Sequence, residues 1–174
     1  MEKYLIHFSG VKPGMHSFDF NPDTSFFGHF DFPDIICSDI RVHIDMEKEE
    51  HMLIFRIFIQ GNAELVCDRC GDPLTEALDG QEKLVVKLSD HNEEESEDVL
   101  IVKESDGKFD ISQLLYEYIR LMLPAHRVHG EDKNGKSLCN PDIIKKLNEL
   151  NRQRTPDPRW EVLGRLRNKT DQIN

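Results

Sequence analysis

Hydrophobic and polar residues alternate with a period of two along several stretches of the chain, the period of a strand with one buried face. Ile40, Val42, Ile44 and Met46 alternate with Arg41, His43 and Asp45. Leu53, Phe55, Ile57 and Ile59 alternate with Ile54, Arg56, Phe58 and Gln60, and the charged run Glu47 to Glu50 between the two stretches marks a hairpin end. Ala63 to Val66 continue the second strand to Cys67, and Gly61 within it predicts a bulge or bend. Leu74 to Leu88 read as a further strand pair or one long strand ending in Leu84, Val86 and Leu88, with Val99 and Ile101, and optionally Lys103, in a last strand. Nearer the start, Tyr4, Ile6 and Phe8 predict a half-buried strand. Gly10 to Gly14 turn the chain, and His16 to Phe20 form a short returning strand. The expected sheet is antiparallel and built from successive strands.

Between and after the strands the period changes to that of a helix. Asn21-Pro22-Asp23 read as a helix start, with Phe26, Phe27 and Phe30 anchoring one or two turns. Asp110 with Gln113 three residues on has the form of a capping box, and Ile111, Leu114, Leu115, Tyr118 and Met122 make the apolar stripe that follows. Pro124 stops that helix. Asn140-Pro141 open another, with Ile143, Ile144, Leu147 and Leu150 expected to face inward. Thr155-Pro156 break it, Asp157-Pro158 repeat the cap-plus-proline device, and Trp160, Leu163 and Leu166 give a last apolar stripe. The predicted fold class is α+β: a single domain over residues 1–174, with a curled antiparallel β-sheet and C-terminal helices.

Charge adds two features. The chain of 174 residues carries a net charge of −11. Residues 143–174 hold eight Lys or Arg against four acids, a net +4, so the remainder stands at −15. The acids are densest from Asp90 to Asp98, six in nine residues, which predicts an acidic flexible loop over residues 89–98. The basic helical C-terminal extension spans residues 140–174. An acidic body repels phosphate over most of its surface, while a basic tail permits a local nucleic-acid contact. The candidate contacts are Arg69 beside the cysteine pair and Arg152, Arg154, Arg159, Arg165 and Arg167 in the tail. No hydrophobic run of signal-peptide or bilayer length is present, and a cytoplasmic location is expected.

Four cysteines in a chain of this length do not make a secreted disulfide framework. The pointed motif is Cys67-Asp68-Arg69-Cys70-Gly71. Two thiolates at this spacing grip one tetrahedral Zn²⁺, and a glycine after the second lets the backbone turn sharply. Further ligands have to come from elsewhere, and Cys139, His129 and His126 are the candidates. Two other readings stand beside zinc. A redox pair needs the first cysteine at the N-terminus of a helix in a thioredoxin-like βαβ context, and here the pair ends a strand. The third reading is a tight turn with idle thiols. Cys37 reads as a small buried hydrophobe, and His7, His16, His29, His43, His51 and His91 are scattered without ligand spacing. No phosphate loop, nucleophile elbow or paired metal-binding histidines are found.

The order of these features resembles the YceD family, the large ribosomal RNA subunit accumulation proteins. The residues that carry the resemblance are Gly61 to Gly71, a strand running into Cys-Asp-Arg-Cys. The acidic loop and the Asp110-to-Pro124 helix with its Leu121-Met122-Leu123-Pro124 ending follow in the family's order. Asp157-Pro158-Arg159-Trp160 with Leu163 and Leu166 looks like the version in Bacteroidetes-type bacteria. The resemblance implies a non-catalytic role in making or stabilising large-subunit ribosomal RNA, with precursor RNA or a basic large-subunit ribosomal protein as partner. Neither a membrane nor DNA is expected. Many members have further cysteines after the Leu-Pro stop, where this chain has Cys139 with His126 and His129. The alternative is a zinc- or thiol-dependent enzyme or redox factor centred on Cys67 and Cys70.

Overall fold

The computed structural model describes residues 2–30, 32, 35–90 and 99–152, with the backbone alone at residues 2 and 37. The chain divides into two compact units, Met1–Val128 and His129–Asn174. In the first unit the elements are β1 (Leu5–His7), β2 (Gly14–Phe20), α1 (Thr24–Gly28), β3 (Ile35–Lys48), β4 (Met52–Val66), β5 (Pro73–Leu88), β6 (Val99–Val102), β7 (Lys108–Asp110) and α2 (Ser112–Met122). In the second, α3 (Pro141–Arg152) follows a short hairpin-like loop. The class is the α+β class expected from the sequence.

A five-stranded sheet in the order β2-β3-β4-β5-β6 dominates the first unit. Its three central strands take up the two-residue alternation directly. Ile40, Val42, Ile44 and Met46 on β3, and Leu53, Phe55, Ile57 and Ile59 on β4, are almost wholly buried. Each such side chain contributes roughly 1.5–3 kcal/mol of hydrophobic stabilisation. Because a one-residue slip would turn every one of these side chains to the opposite face, the pattern itself fixes the register. Ile44 lies opposite Ile57 and Met46 opposite Phe55. The charged run closes the β3–β4 hairpin as expected, and Glu49 N–H donates to the Met52 carbonyl at 2.8 Å.

Of the two readings of residues 74–88 the structure has the one long strand, β5. The sheet departs from the expected meander in two places. β6 pairs with β5 in parallel, Val85 opposite Val99 and Leu88 opposite Val102. β6 overlaps only the last four residues of β5, so this parallel pairing spans far less than the length of the longer strand. β1 does not pair with β2 but forms a separate two-stranded sheet with β7, a strand with no signal of its own beyond Phe109.

Gly61 makes no bulge. It stays in register opposite Ile40, and the slip in the β3–β4 ladder falls at Ile35/Cys37 instead. What Gly61 supplies is a φ of +144° and close backbone approach, since a β-carbon there would collide with the Asp39 carbonyl and the Ile40 Cα.

The helices of this unit start from side-chain hydrogen bonds. Asp23 caps α1, its carboxylate accepting the Phe26 N–H at 3.0 Å, and Phe26 and Phe27 are buried. Asp110 accepts the Ser112 N–H at 2.9 Å, but α2 begins after Ile111, so the expected capping box does not form. Gln113 instead donates to Glu117 one turn on, at 2.7 Å. The buried stripe of α2 runs through Leu115, Tyr116 and Ile119, with Leu114, Tyr118 and Met122 only partly covered.

The described part of the second unit is a tight loop followed by α3. Asp132 accepts the backbone N–H groups of Asn134 and Lys136, and Leu138 N–H donates to the Gly130 carbonyl at 2.9 Å. Asn140 then caps α3, accepting the Asp142 N–H at 3.1 Å. The expected inward face of this helix is not buried: Ile143, Leu147 and Leu150 are 36%, 37% and 56% exposed. The last apolar stripe (Trp160, Leu163, Leu166) and most of the acidic loop lie outside the described residues.

Candidate metal centre

Cys67 to Gly71 form the connection between β4 and β5. Cys67 N–H donates to the Asp72 carbonyl and Gly71 N–H returns to the Cys67 carbonyl, both at 2.9 Å. Gly71 completes the turn at φ +77°, a conformation that costs glycine nothing and side-chain-bearing residues about 1 kcal/mol or more. Both cysteine side chains are buried, while Asp68 and Arg69 between them are exposed. The turn is anchored from outside. Asp68 N–H donates to the Arg127 carbonyl at 2.7 Å, and the Asp68 carboxylate accepts the Arg127 N–H at 2.8 Å. That bond and the nearby Arg127 guanidinium hold the Asp68 carboxyl below the usual carboxylate range.

His129 and Cys139 are set by the second tight loop. The hydrogen bond from Leu138 to Gly130 closes the loop immediately inside these two residues, so a separation of ten in sequence becomes a pair of neighbouring stems. Gly135 at φ +75° makes the turn, and Cys139 N–H donates to the Ser137 hydroxyl at 3.2 Å. Cys139 is buried and His129 half-buried.

Cys67, Cys70, His129 and Cys139 form one group able to hold a metal ion, their ligand atoms all within 4.8 Å of one another. Zinc–sulfur bonds of about 2.3 Å in a tetrahedron put sulfurs roughly 3.8 Å apart, so the group is within about 1 Å of ligating distance. No disulfide joins the three cysteines. His126, the other histidine weighed from the sequence, does not join them: it is exposed, with its ring 3.9 Å from the Asp68 carboxylate. The cysteine pair sits between two strands and does not open a helix. Of the candidate contact residues, Arg69 lies in the turn and Arg152 ends α3, both exposed. Arg154, Arg159, Arg165 and Arg167 lie outside the described residues.

Three thiols and one imidazole are the donor set of a structural zinc site, in which four protein ligands leave no position for substrate, on a chain of the α+β class. Comparison with protein families then identifies it: the model of the large ribosomal RNA subunit accumulation protein YceD matches residues 55–167, and the chain belongs to that family. The match takes in Cys67, Cys70, His129 and Cys139 together. The family's description names an RNA accumulation factor of the large ribosomal subunit and no enzyme class. No curated protein and no solved structure matches the chain. No helix among the described residues is long and apolar enough to cross a membrane.

Proposed function

We propose that this chain supports the accumulation of large-subunit ribosomal RNA as a non-catalytic binding factor in the cytoplasm, with one structural zinc ion held by Cys67, Cys70, His129 and Cys139. The observation that carries the reading is the four-ligand group inside the region matched to the family. A set of soft, mostly buried donors with no fifth position suits a structural ion and leaves no place for metal-activated water. Zinc at these residues would fix the Cys67–Gly71 turn and the stems of the 130–138 loop. The exposed side chains between and beside the ligands, Arg69 among them, would then be presented in fixed positions. With Arg152, Arg154, Arg159, Arg165 and Arg167 in the tail, they supply the cations for precursor RNA. The acidic first unit favours a second contact, with a basic large-subunit ribosomal protein.

The test is a sucrose-gradient profile of cells lacking the protein, read beside the metal content of the purified chain. A selective deficit of large subunits and about one zinc per chain are expected. A normal subunit ratio removes the ribosomal reading, and metal-free protein from a reducing purification removes the zinc.

A further inference from the structure

Residues 1–128 hold twelve basic against twenty-six acidic residues, yet among the described residues the exposed arginine at the end of α2 has aromatic rings and a hydroxyl as its partners. Arg41, Arg56 and Arg127 each face an acid, at 4.0, 3.7 and 3.2 Å. Arg120 has no such partner among the described residues. Its guanidinium lies 5.2 Å from the centre of the Phe32 ring and 5.9 Å from that of Tyr116, and it donates to the Tyr116 hydroxyl at 2.9 Å. Tyr116 is itself fixed, buried and stacked on Phe30 with ring centres 4.4 Å apart and planes 12° from parallel. Among the described residues the side chain is therefore oriented by aromatic faces and one hydrogen bond, which engages only part of its five N–H donors.

Arg120 opens onto a cleft of about 770 Å³ shared with Phe32, Leu121, Leu123 and Arg127. Leu121 is 82% exposed, the most exposed large apolar side chain of the described residues, and follows Arg120 directly in sequence. The carboxylate in the lining, Glu117, accepts a hydrogen bond from Gln113. A planar cation beside an exposed apolar surface matches a nucleotide, which brings a phosphate for the guanidinium and a flat face for the leucine and aromatic edge. A lysine-rich ribosomal segment would meet like charge from Arg120, whereas Arg127 is already paired with Asp68.

We propose that this cleft binds a nucleotide of single-stranded large-subunit RNA, with Arg120 on the phosphate and Leu121 under the base or ribose. The proposal rests on the ribosomal reading above and adds to it the site of contact.

The test uses the full chain and a labelled oligouridine of about ten nucleotides, a length that spans a single-strand site. Anisotropy is read over a series of salt concentrations. Arg120→Ala is expected to weaken binding roughly tenfold and to flatten the salt dependence by about 0.7 of a unit, one phosphate contact on a single strand. Arg120→Lys should keep the slope and lose part of the affinity, because the charge stays and the plane goes. Leu121→Ser, at a position too exposed to unfold the protein, should weaken binding at unchanged slope. Failure of the wild-type chain to bind the oligonucleotide, tighter binding of oligoglutamate, or wild-type binding by both Arg120→Ala and Leu121→Ser overturns the proposal. Complementation in cells separates the two readings. A large-subunit deficit rescued fully by Arg120→Ala counts against the cleft alone, and no deficit in the deletion counts against the ribosomal role.

Discussion

Asp68 grips Arg127 at two points: one carboxylate oxygen accepts the Arg127 backbone N–H at 2.8 Å, and the other lies 3.2 Å from its guanidinium. These residues are fifty-nine apart in sequence, so the contact pins the turn carrying Cys67 and Cys70 to the segment leaving α2. Asp68→Ala is expected to lower the melting temperature, with Asp68→Asn intermediate because the amide still accepts one hydrogen bond. The wild-type carboxyl is held below the ordinary carboxylate range by the Arg127 N–H, helped by the Arg127 charge. A depressed folded-state pKa stabilises the fold above the unfolded-state value and loses that contribution as pH falls through the folded-state value. The difference in melting temperature between wild type and Asp68→Ala should accordingly be full near neutrality and shrink below about pH 4. A difference that stays constant down to strongly acid pH would show that the carboxylate charge is irrelevant.

Zinc removal gives a second prediction. Cysteine ligands bind as thiolates, so loading the group should release protons, and stability should fall when a chelator takes the ion away. Cys67→Ser, Cys70→Ser and Cys139→Ser are each expected to reduce zinc to well below one per chain and to make melting insensitive to chelator. His126→Ala should leave zinc content unchanged, since that ring faces Asp68 and not the thiols. Zinc content is the deciding measurement. An equal loss in His126→Ala and the cysteine variants would mean that the ligand set is wrong.

Gly61 offers a test of backbone geometry. Its φ of +144° is a region that side-chain-bearing residues rarely enter, and an added β-carbon would meet the Asp39 and Ile40 backbone, which cannot swing aside as a side chain can. Gly61→Ala should therefore destabilise by about 2–3 kcal/mol, through strain added to collision. Gly10→Ala, where a β-carbon meets nothing within 4 Å, should change stability by less than about 0.5 kcal/mol. Chemical denaturation of the two variants measures the contrast, and equal costs would contradict this reading of Gly61.

The same residues show what was legible in the sequence. The alternations on β3 and β4 belong to strands with one buried face, so periodicity alone located Ile44, Phe55 and Ile57 in the core. Strand partners were less legible, because pairing β1 with β7 joins segments about a hundred residues apart and leaves no local trace. At Gly61 the sequence marks a glycine but not its reason, since the need for it lies in the close approach of the neighbouring strand. At the candidate metal centre, Cys67 and Cys70 announce themselves by spacing. His129 and Cys139 become neighbours through the Gly130–Leu138 hydrogen bond, which only the folded loop displays. Arg120 had no motif at all. Its distinction is the set of aromatic groups around it, a tertiary fact.

The two long amphipathic helices carry a final prediction, because similar apolar stripes have different surroundings. On α2, Ile119 and Leu115 are completely buried against the sheet core. On α3, the stripe that sequence periodicity assigns to a core leaves Leu147 37% and Leu150 56% exposed, and no residue of the helix is buried. Ile119→Ala should then cost about 2–5 kcal/mol, the lost transfer energy plus an incompletely collapsed cavity. Leu150→Gln should shift stability by no more than about 0.5 kcal/mol, since glutamine is a good helix former and little apolar area leaves or enters water. Urea denaturation followed by circular dichroism separates these outcomes, with an unchanged m-value required for a fair comparison. A cost for Leu150→Gln near that of Ile119→Ala would mean that the α3 stripe is covered in solution, and would reassign this helix from an exposed surface to a packed one.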